Sequence, residues 1–226
     1  MSGNLYIVST PIGNLDDITK RAIDTLNLVD IILCEDTRVT RKILNHYDIE
    51  KKLFVFNNIN ENRKAEGILD LINTGSNIAL VSDAGTPCIS DPGYRLVNMA
   101  QKNNINVLTI PGPCSVISAL SISGLPTDNF FYQGFLPRKK GRHTKLGDLA
   151  DLECSIVLFE SPKRILKTLN DIEKYFGNRY IAICRELTKI YEQVICDKIS
   201  NILSNQDSIK YKGEFVIIIA KEGYKN

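Results

Sequence analysis

Leu5-Tyr6-Ile7-Val8-Ser9-Thr10-Pro11-Ile12-Gly13-Asn14 is a short apolar run that stops in a proline- and glycine-containing turn. Such a run reads as a buried strand followed by a loop. Asp16-Asp17-Ile18-Thr19 then predicts a helix start, with acidic residues in the first turn where they suit the dipole. Ile18, Ala22, Ile23, Leu26 and Val29 recur at helical spacing. The same unit repeats along the chain. Ile31-Ile32-Leu33 is a second strand, and Asp36-Thr37 can cap the next helix. Leu53-Phe54-Val55-Phe56 is a third strand, before a helix from Glu61 to Asn73 with Ala65, Ile68, Leu69 and Ile72 on one face. Ile78-Ala79-Leu80-Val81 is a fourth, ending at Ser82-Asp83-Ala84-Gly85-Thr86-Pro87. After a helix near 93–102 comes Val107-Leu108-Thr109-Ile110, then Pro111-Gly112-Pro113 and an apolar helix from about 114 to 123. Strands alternating with helices in this way predict a parallel sheet with helices on its faces.

Gly124-Leu125-Pro126-Thr127 interrupts the pattern and is the expected domain boundary. Residues 1–124 form an N-terminal α/β domain on this reading, and 125–226 a C-terminal α+β domain. In the second half, strands are expected at 130–135, 155–159, 180–184, 191–196 and 214–219. Fewer helices accompany them, mainly at 143–151, 163–175 and 198–204, which points to a mixed sheet. No internal repeat or low-complexity segment is visible.

Composition narrows the class. Apolar residues make up 43% of the 226 and charged residues 24%, so the chain reads as globular rather than disordered. No apolar run reaches the ~18 residues of a bilayer span. The N-terminus enters a strand directly, without a basic leader, so a cytoplasmic protein is expected. Cys34, Cys88, Cys114, Cys154, Cys184 and Cys196 contain no C-x-x-C pair and read as free thiols, with no metal site. With only His46 and His143, a Ser-His-Asp triad has little to build on. The net charge of +2 neither signals nor excludes nucleic acid, since a local patch can suffice.

Ligands of open α/β sheets bind at the carboxyl ends of strands. Three loops there have unusual composition: 10–14, 82–87 and Pro111-Gly112-Pro113-Cys114-Ser115. Glycine lets backbone approach a ligand and proline fixes loop shape. Singly, each could be an ordinary turn; together on one sheet edge they predict a pocket. Asp83 is placed to accept from a hydroxyl or ammonium group. No G-x-G-x-x-G follows the first strand and no P-loop occurs, which argues against NAD and ATP. Glu35-Asp36-Thr37-Arg38 is either a helix cap with a surface arginine or a pair of carboxylates beside a phosphate-holding guanidinium. Arg138-Lys139-Lys140-Gly141-Arg142 is either a solvated loop or a contact for an RNA backbone.

The segments Thr10-Pro11-Ile12-Gly13-Asn14-Leu15, Glu35-Asp36-Thr37-Arg38, Ser82 to Pro87 with Asp91-Pro92-Gly93, and Pro111-Gly112-Pro113 closely resemble the small-subunit ribosomal RNA methyltransferases of the tetrapyrrole-methylase superfamily. Gly134-Phe135-Leu136-Pro137, Phe159-Glu160-Ser161, Arg185-Glu186-Leu187-Thr188-Lys189 and Lys212-Gly213-Glu214 continue the match in order, so it runs from about residue 4 to 220. The resemblance implies a two-domain fold with S-adenosyl-L-methionine in a cleft between the domains. It implies a homodimer and transfer of methyl to a cytidine ribose 2′-oxygen in the decoding region of 16S rRNA, within the small ribosomal subunit. The cofactor-binding positions carried over are Pro11, Asp83, Ala84, Gly85, Thr86, Pro87, Ser115 and Val116, with Phe159, Leu187 and Gly213 from the second domain. Arg38, Arg138, Lys139, Lys140 and Arg142 are the expected RNA contacts. The resemblance departs at Asn57-Asn58-Ile59-Asn60-Glu61, where relatives carry a histidine.

Methyl transfer from a sulfonium is an in-line displacement, so positioning supplies much of the rate. A ribose hydroxyl is a poor nucleophile until deprotonated. Glu35, Asp36 and Glu186 are the catalytic candidates, with Glu160 and direct proton loss to water as further options. Two other functions fit the fold. One is a methyltransferase for a tetrapyrrole or another small molecule, and the other is a non-catalytic ribosome-assembly factor.

Overall fold

In the computed structural model, which describes residues 2–225, the strands expected in the first half pair into one parallel sheet. The elements in chain order are β1 (Asn4–Val8), α1 (Lys20–Leu28), β2 (Ile31–Cys34), α2 (Thr37–His46), β3 (Lys52–Val55), α3 (Glu61–Asn73), β4 (Ile78–Leu80), α4 (Tyr94–Lys102) and β5 (Asn106–Ile110). The sheet order is β3-β2-β4-β1-β5. Every residue of β2 and β4 is buried, as interior strands covered on both faces must be. One face packs Leu5, Leu33, Ile78 and Leu80 against Ala65, Ile68, Ile72 and Leu96 of α3 and α4. The other packs Val8, Ile32, Cys34 and Ala79 against Ala22 and Leu26 of α1 and Ile43 and Leu44 of α2. Each such Leu, Ile or Val side chain contributes roughly 1.5–3 kcal/mol relative to leaving it in water.

One local expectation is corrected. Asp16 and Asp17 lie in a 3₁₀ turn before α1, not in the first turn of the helix. The Asn14 side chain accepts from the Asp16 N–H, Ile18 is extended, and Thr19 caps α1 by accepting from the Ala22 N–H at 3.1 Å. Asp36 does cap α2, accepting from the Arg38 N–H at 2.8 Å.

The chain divides into two compact units, Met1–Cys114 and Ser115–Asn226. The helix after Pro113, α5 (Ser115–Ile122), therefore goes with the second unit, where it packs on the last strand. There follow β6 (Phe130–Phe135), α6 (Arg142–Ala150), β7 (Ser155–Glu160), α7 (Ile165–Phe176), β8 (Tyr180–Arg185), β9 (Gln193–Lys198), α8 (Ile199–Ser204) and β10 (Phe215–Ile219). The sheet order is β6-β7-β10-β8-β9. β6 and β7 are parallel and the other pairs antiparallel, so the sheet is mixed. All five residues of β10 are buried. Phe215, Ile217 and Ile219 face α6, α7 and α8, while the opposite face meets α5, where the Cys184 thiol approaches the Ala119 carbonyl at 3.9 Å. β9 begins two positions later than the periodicity suggests, because Tyr191 is held out of the ladder by the Arg185 guanidinium, which donates to its carbonyl at 2.9 Å.

Among the described residues no helix is long and apolar enough to cross a membrane.

Candidate active site

In the first unit, β4 lies between β2 and β1, so the loops after these three strands meet at one sheet edge although they are distant in sequence. The loops after β1 and β4 are laced by an isolated antiparallel bridge. Thr10 N–H donates to the Gly85 carbonyl at 2.9 Å, and Gly85 N–H donates back at 3.1 Å. The Thr10 hydroxyl donates to the Ser82 carbonyl at 3.1 Å. Thr86 ties in the loop after β5: its hydroxyl donates to the Pro113 carbonyl at 3.2 Å and lies 3.0 Å from the Ser9 hydroxyl. Gly85 is in the left-handed region (φ +82), and an added Cβ would sit 3.3 Å from Ile12. A side chain there strains the backbone and fills the space beside the bridge. Thus Pro11, Ala84, Gly85, Thr86 and Pro87 are brought together with Pro111-Gly112-Pro113, as the three-loop reading expected. Pro11 and Pro87 are buried supports, whereas Ala84, Pro111 and Gly112 expose their surface.

Carboxylates gather at the same edge. Asp83 accepts from the Asp36 N–H at 3.1 Å. Burial raises the Asp83 pKa, and this backbone bond opposes it. Glu35 is pushed up to about 7, first by burial, then by the negative charges of Asp91 and Asp83. Asp91 is raised to about 6 by burial and the Asp83 charge, against a hydrogen bond from Ser82. Asp36 goes the other way. Held by the Arg38 guanidinium at 2.5 Å, it falls to about 2. The sequence motif assigns Asp91 no role; only the fold sets its charge against Glu35. Nor does the sequence single out Glu61. It is buried, and its carboxylate accepts from the N–H groups of Gly93 and Arg95 at 3.2 and 3.1 Å, tying α3 to the start of α4. Gly93 is obligatory there: at φ +129, a Cβ would lie 2.5 Å from Leu80 and 2.7 Å from the Cys88 sulfur. Among the described residues no cluster of three or more His, Cys, Asp or Glu is arranged to hold a metal ion.

In the second unit three of the expected residues, Phe159, Leu187 and Gly213, lie toward one sheet edge. Glu160 ends β7 opposite Phe215, and Arg185 ends β8 opposite the same residue. Phe159, Leu187 and Gly213 therefore stand near one another, while Ser115 and Val116 begin α5. Glu186 has a left-handed backbone (φ +50). Its carboxylate accepts from the Glu214 N–H at 2.9 Å and from the Lys189 ammonium at 2.9 Å. Burial would raise its pKa, but the Lys189 contact and the backbone bond bring it below the usual range. Gly213 (φ +94) makes room for it, since a Cβ there would meet Glu186 Oε1 at 2.5 Å. Glu186 thus ties its own loop to Lys189 and to the Glu214 backbone. Glu160 is buried and committed: Ser161 N–H donates at 2.7 Å, Thr168 Oγ1 at 2.6 Å and Arg164 at 3.0 Å.

The basic run splits. Arg138, Lys139 and Lys140 are exposed in the turn before α6. Arg142 is a correction: it is only 2% exposed and cannot reach an RNA. Its Nε donates to Asp171 at 2.8 Å, and its other nitrogens reach Thr168 Oγ1 at 2.8 Å and the Pro137 carbonyl at 3.3 Å.

Comparison with known proteins agrees with this architecture. Residues 4–203 match the family of tetrapyrrole (corrin/porphyrin) methylases, and the chain belongs to that family. A ribosomal RNA small subunit methyltransferase I from Escherichia coli O157:H7 is 47% identical over 227 residues, covering 99% of this chain and 79% of the relative. The Thermotoga maritima protein of that name is 45% identical over 218 residues, covering 96% and 98%. Identity at this level over nearly the whole chain puts it in that branch of the family. Solved structures share the fold at low identity. Diphthine synthase has a TM-score of 0.74 at 13% identity, covering 96% of this chain and 90% of its own. The Thermus thermophilus uroporphyrin-III C-methyltransferase complexed with S-adenyl homocysteine has 0.66 at 15%, covering 96% and 97%.

Proposed function

We propose that the protein is an S-adenosylmethionine-dependent methyltransferase that methylates a cytidine ribose 2′-oxygen in the decoding region of 16S rRNA, within the small ribosomal subunit. The observation that carries this reading is the 45–47% identity, over nearly the whole chain, to relatives named for small-subunit rRNA methylation. The loop residues fit the cofactor. S-adenosylmethionine carries a sulfonium and an ammonium, and the edge offers the Asp83 carboxylate beside a left-handed Gly85 and the exposed backbone of Pro111 and Gly112. When bound, the group supplies an activated methyl. Asp83, Ala84, Gly85, Thr86, Pro87 and Pro11 would hold it, and Ser115, Val116, Phe159, Leu187 and Gly213 are the further positions that the resemblance implies.

What the chain must add is orientation of the ribose and removal of its proton. Glu35 is the base in this reading. A carboxylate with a pKa near 7 is a far better proton acceptor than one near 4, and is still ionised in half the molecules at neutral pH. Asp36 is too weak a base while it holds Arg38, and Glu186 is occupied by Lys189. The exposed Arg138, Lys139 and Lys140, with Arg38, supply cations for phosphate.

The direct test is transfer of labelled methyl to small subunits, with mapping of the modified nucleotide. Label on a base, or none in ribosomal RNA but label in a uroporphyrinogen-like acceptor, overturns the reading. For the cofactor loop, Asp83→Ala is expected to weaken S-adenosylmethionine binding about ten- to a hundredfold, the loss of a charge-assisted hydrogen bond of ~1.5–3 kcal/mol. Calorimetry giving wild-type affinity would remove Asp83 from the site. The reading includes a homodimer, so solution scattering should return twice the chain mass; the mass of a single chain at all concentrations rejects that part.

A further inference from the structure

We propose that the exposed face of α2 is a docking surface for RNA backbone phosphates, formed by Thr37, Arg38, Arg41, Lys42 and Asn45. The inference rests on the reading of the protein as an rRNA methyltransferase and adds to it the surface that holds the substrate strand. These five residues line an open cleft of ≈ 300 Å³. Positions 38, 41, 42 and 45 stand three, four and seven residues apart, so they share one helix face. The opposite face buries Thr40, Ile43 and Leu44. The buried face fixes the orientation of the helix, and the cations are therefore held out to solvent.

This arrangement works against the helix itself. Arg38 stands at i,i+3 to Arg41 and i,i+4 to Lys42, spacings at which like charges repel. One carboxylate, Asp36, partly offsets three cations. Its direct ion pair is with Arg38, whose Nε lies 3.0 and 3.1 Å from its two oxygens. Among the described residues Arg41 and Lys42 enter no ion pair. The Arg38 side chain is 87% exposed and free to turn from Asp36 to a phosphate.

Ligand class follows from shape and chemistry. Seven residues of helix span about 10 Å at 1.5 Å per residue. That is long enough to meet more than one phosphate of a nucleic-acid backbone. A guanidinium fork, an ammonium, a hydroxyl and an amide in a row are the donors that phosphodiesters take in protein–nucleic acid contacts. The cleft is also tied to the chemistry. Its first turn follows Glu35 and Asp36 directly, and the Asp36 N–H donates to Asp83 at 3.1 Å. A strand lying along α2 is thereby led toward the carboxyl edge of the sheet, where Glu35 stands.

The experiment measures binding of small-subunit RNA to the full chain over a series of salt concentrations, for wild type, Arg41→Ser/Lys42→Ser, and Lys102→Ser at the far end of α4. Each lost contact lowers the slope of log affinity on log salt by about 0.7 for single-stranded RNA. The double variant is therefore expected to lose about 1.4 of slope, with S-adenosylmethionine affinity unchanged and Lys102→Ser like wild type. A wild-type slope in the double variant overturns the docking surface. An equal loss in Lys102→Ser also overturns it, because the effect is then one of overall charge. A wild type that binds no RNA overturns the surface together with the functional reading beneath it.

Discussion

Replacing Glu35 with glutamine is expected to slow methyl transfer by about 10²–10⁴-fold, the range for loss of a general base. The substitution keeps the size and polarity of the side chain, so cofactor binding should remain. The pH profile distinguishes this from a structural effect. In wild type, kcat/KM should rise tenfold per unit below about 7, the value to which burial, Asp91 and Asp83 raise Glu35, and level off above it. The profile of kcat should break at a lower pH, because a bound cationic cofactor favours the ionised carboxylate. In Glu35→Gln the break near 7 should vanish from both. The same shift affects stability with a definite sign. Between the ordinary 4.5 and about 7, the folded chain holds a proton on Glu35 that the unfolded chain has released. Stability is therefore lost as pH rises through that window. Glu35→Gln should melt higher than wild type at pH 8 and at nearly the same temperature at pH 4. A variant that keeps wild-type turnover and its break near 7 would leave Glu35 without a catalytic role.

Arg142→Ala should be the most destabilising of the substitutions considered. The guanidinium is 2% exposed and joins Asp171 on α7, Thr168 on the same helix and the Pro137 carbonyl. Thr168 in turn donates to the buried Glu160 at 2.6 Å. Removing the cation leaves Asp171 unpaired at a largely buried site, which costs about 3–5 kcal/mol. At ~2–4 °C per kcal/mol for a chain of this size, thermal unfolding should move down by roughly 6–20 °C. Arg142→Lys keeps the charge but not the fork, and should fall between the two. A melting point within a degree of wild type would show that the network contributes little.

Arg142 also shows where sequence reasoning stops. Within Arg138-Lys139-Lys140-Gly141-Arg142 the four cations look alike. What separates the last is Asp171, twenty-nine positions away and brought near only by the packing of α6 on α7. The strands and helices of the first half were readable because each is a short apolar run or a 3.6-residue stripe beside a glycine or proline. The exception, at Asp16 and Asp17, arose because a side-chain cap at Asn14 competes locally with the helix start. The strand order could not be read this way. Periodicity says which segments are strands but not that β4 inserts between β2 and β1. That insertion is what sets Asp91 and Asp83 beside Glu35 and singles it out from Asp36, its sequence neighbour. The loop residues around Gly85 were found from composition, since a backbone that must turn left-handed at a strand end leaves a glycine behind. Glu61 left no such trace: its work is two backbone hydrogen bonds across thirty-odd positions of chain.

The bridge between Thr10 and Gly85 has a consequence for how a ligand is received. Two loops that reach across and pair their amides have already surrendered their conformational freedom when the domain folds. Closing them around a small molecule then requires little further ordering, which is the main entropic burden on binding to flexible loops. Their amides belong to the same cooperative unit as the central strands, and should exchange with solvent only when that unit opens. The cradle is thus rigid before any encounter, and motion on the way to catalysis has to come from elsewhere in the chain.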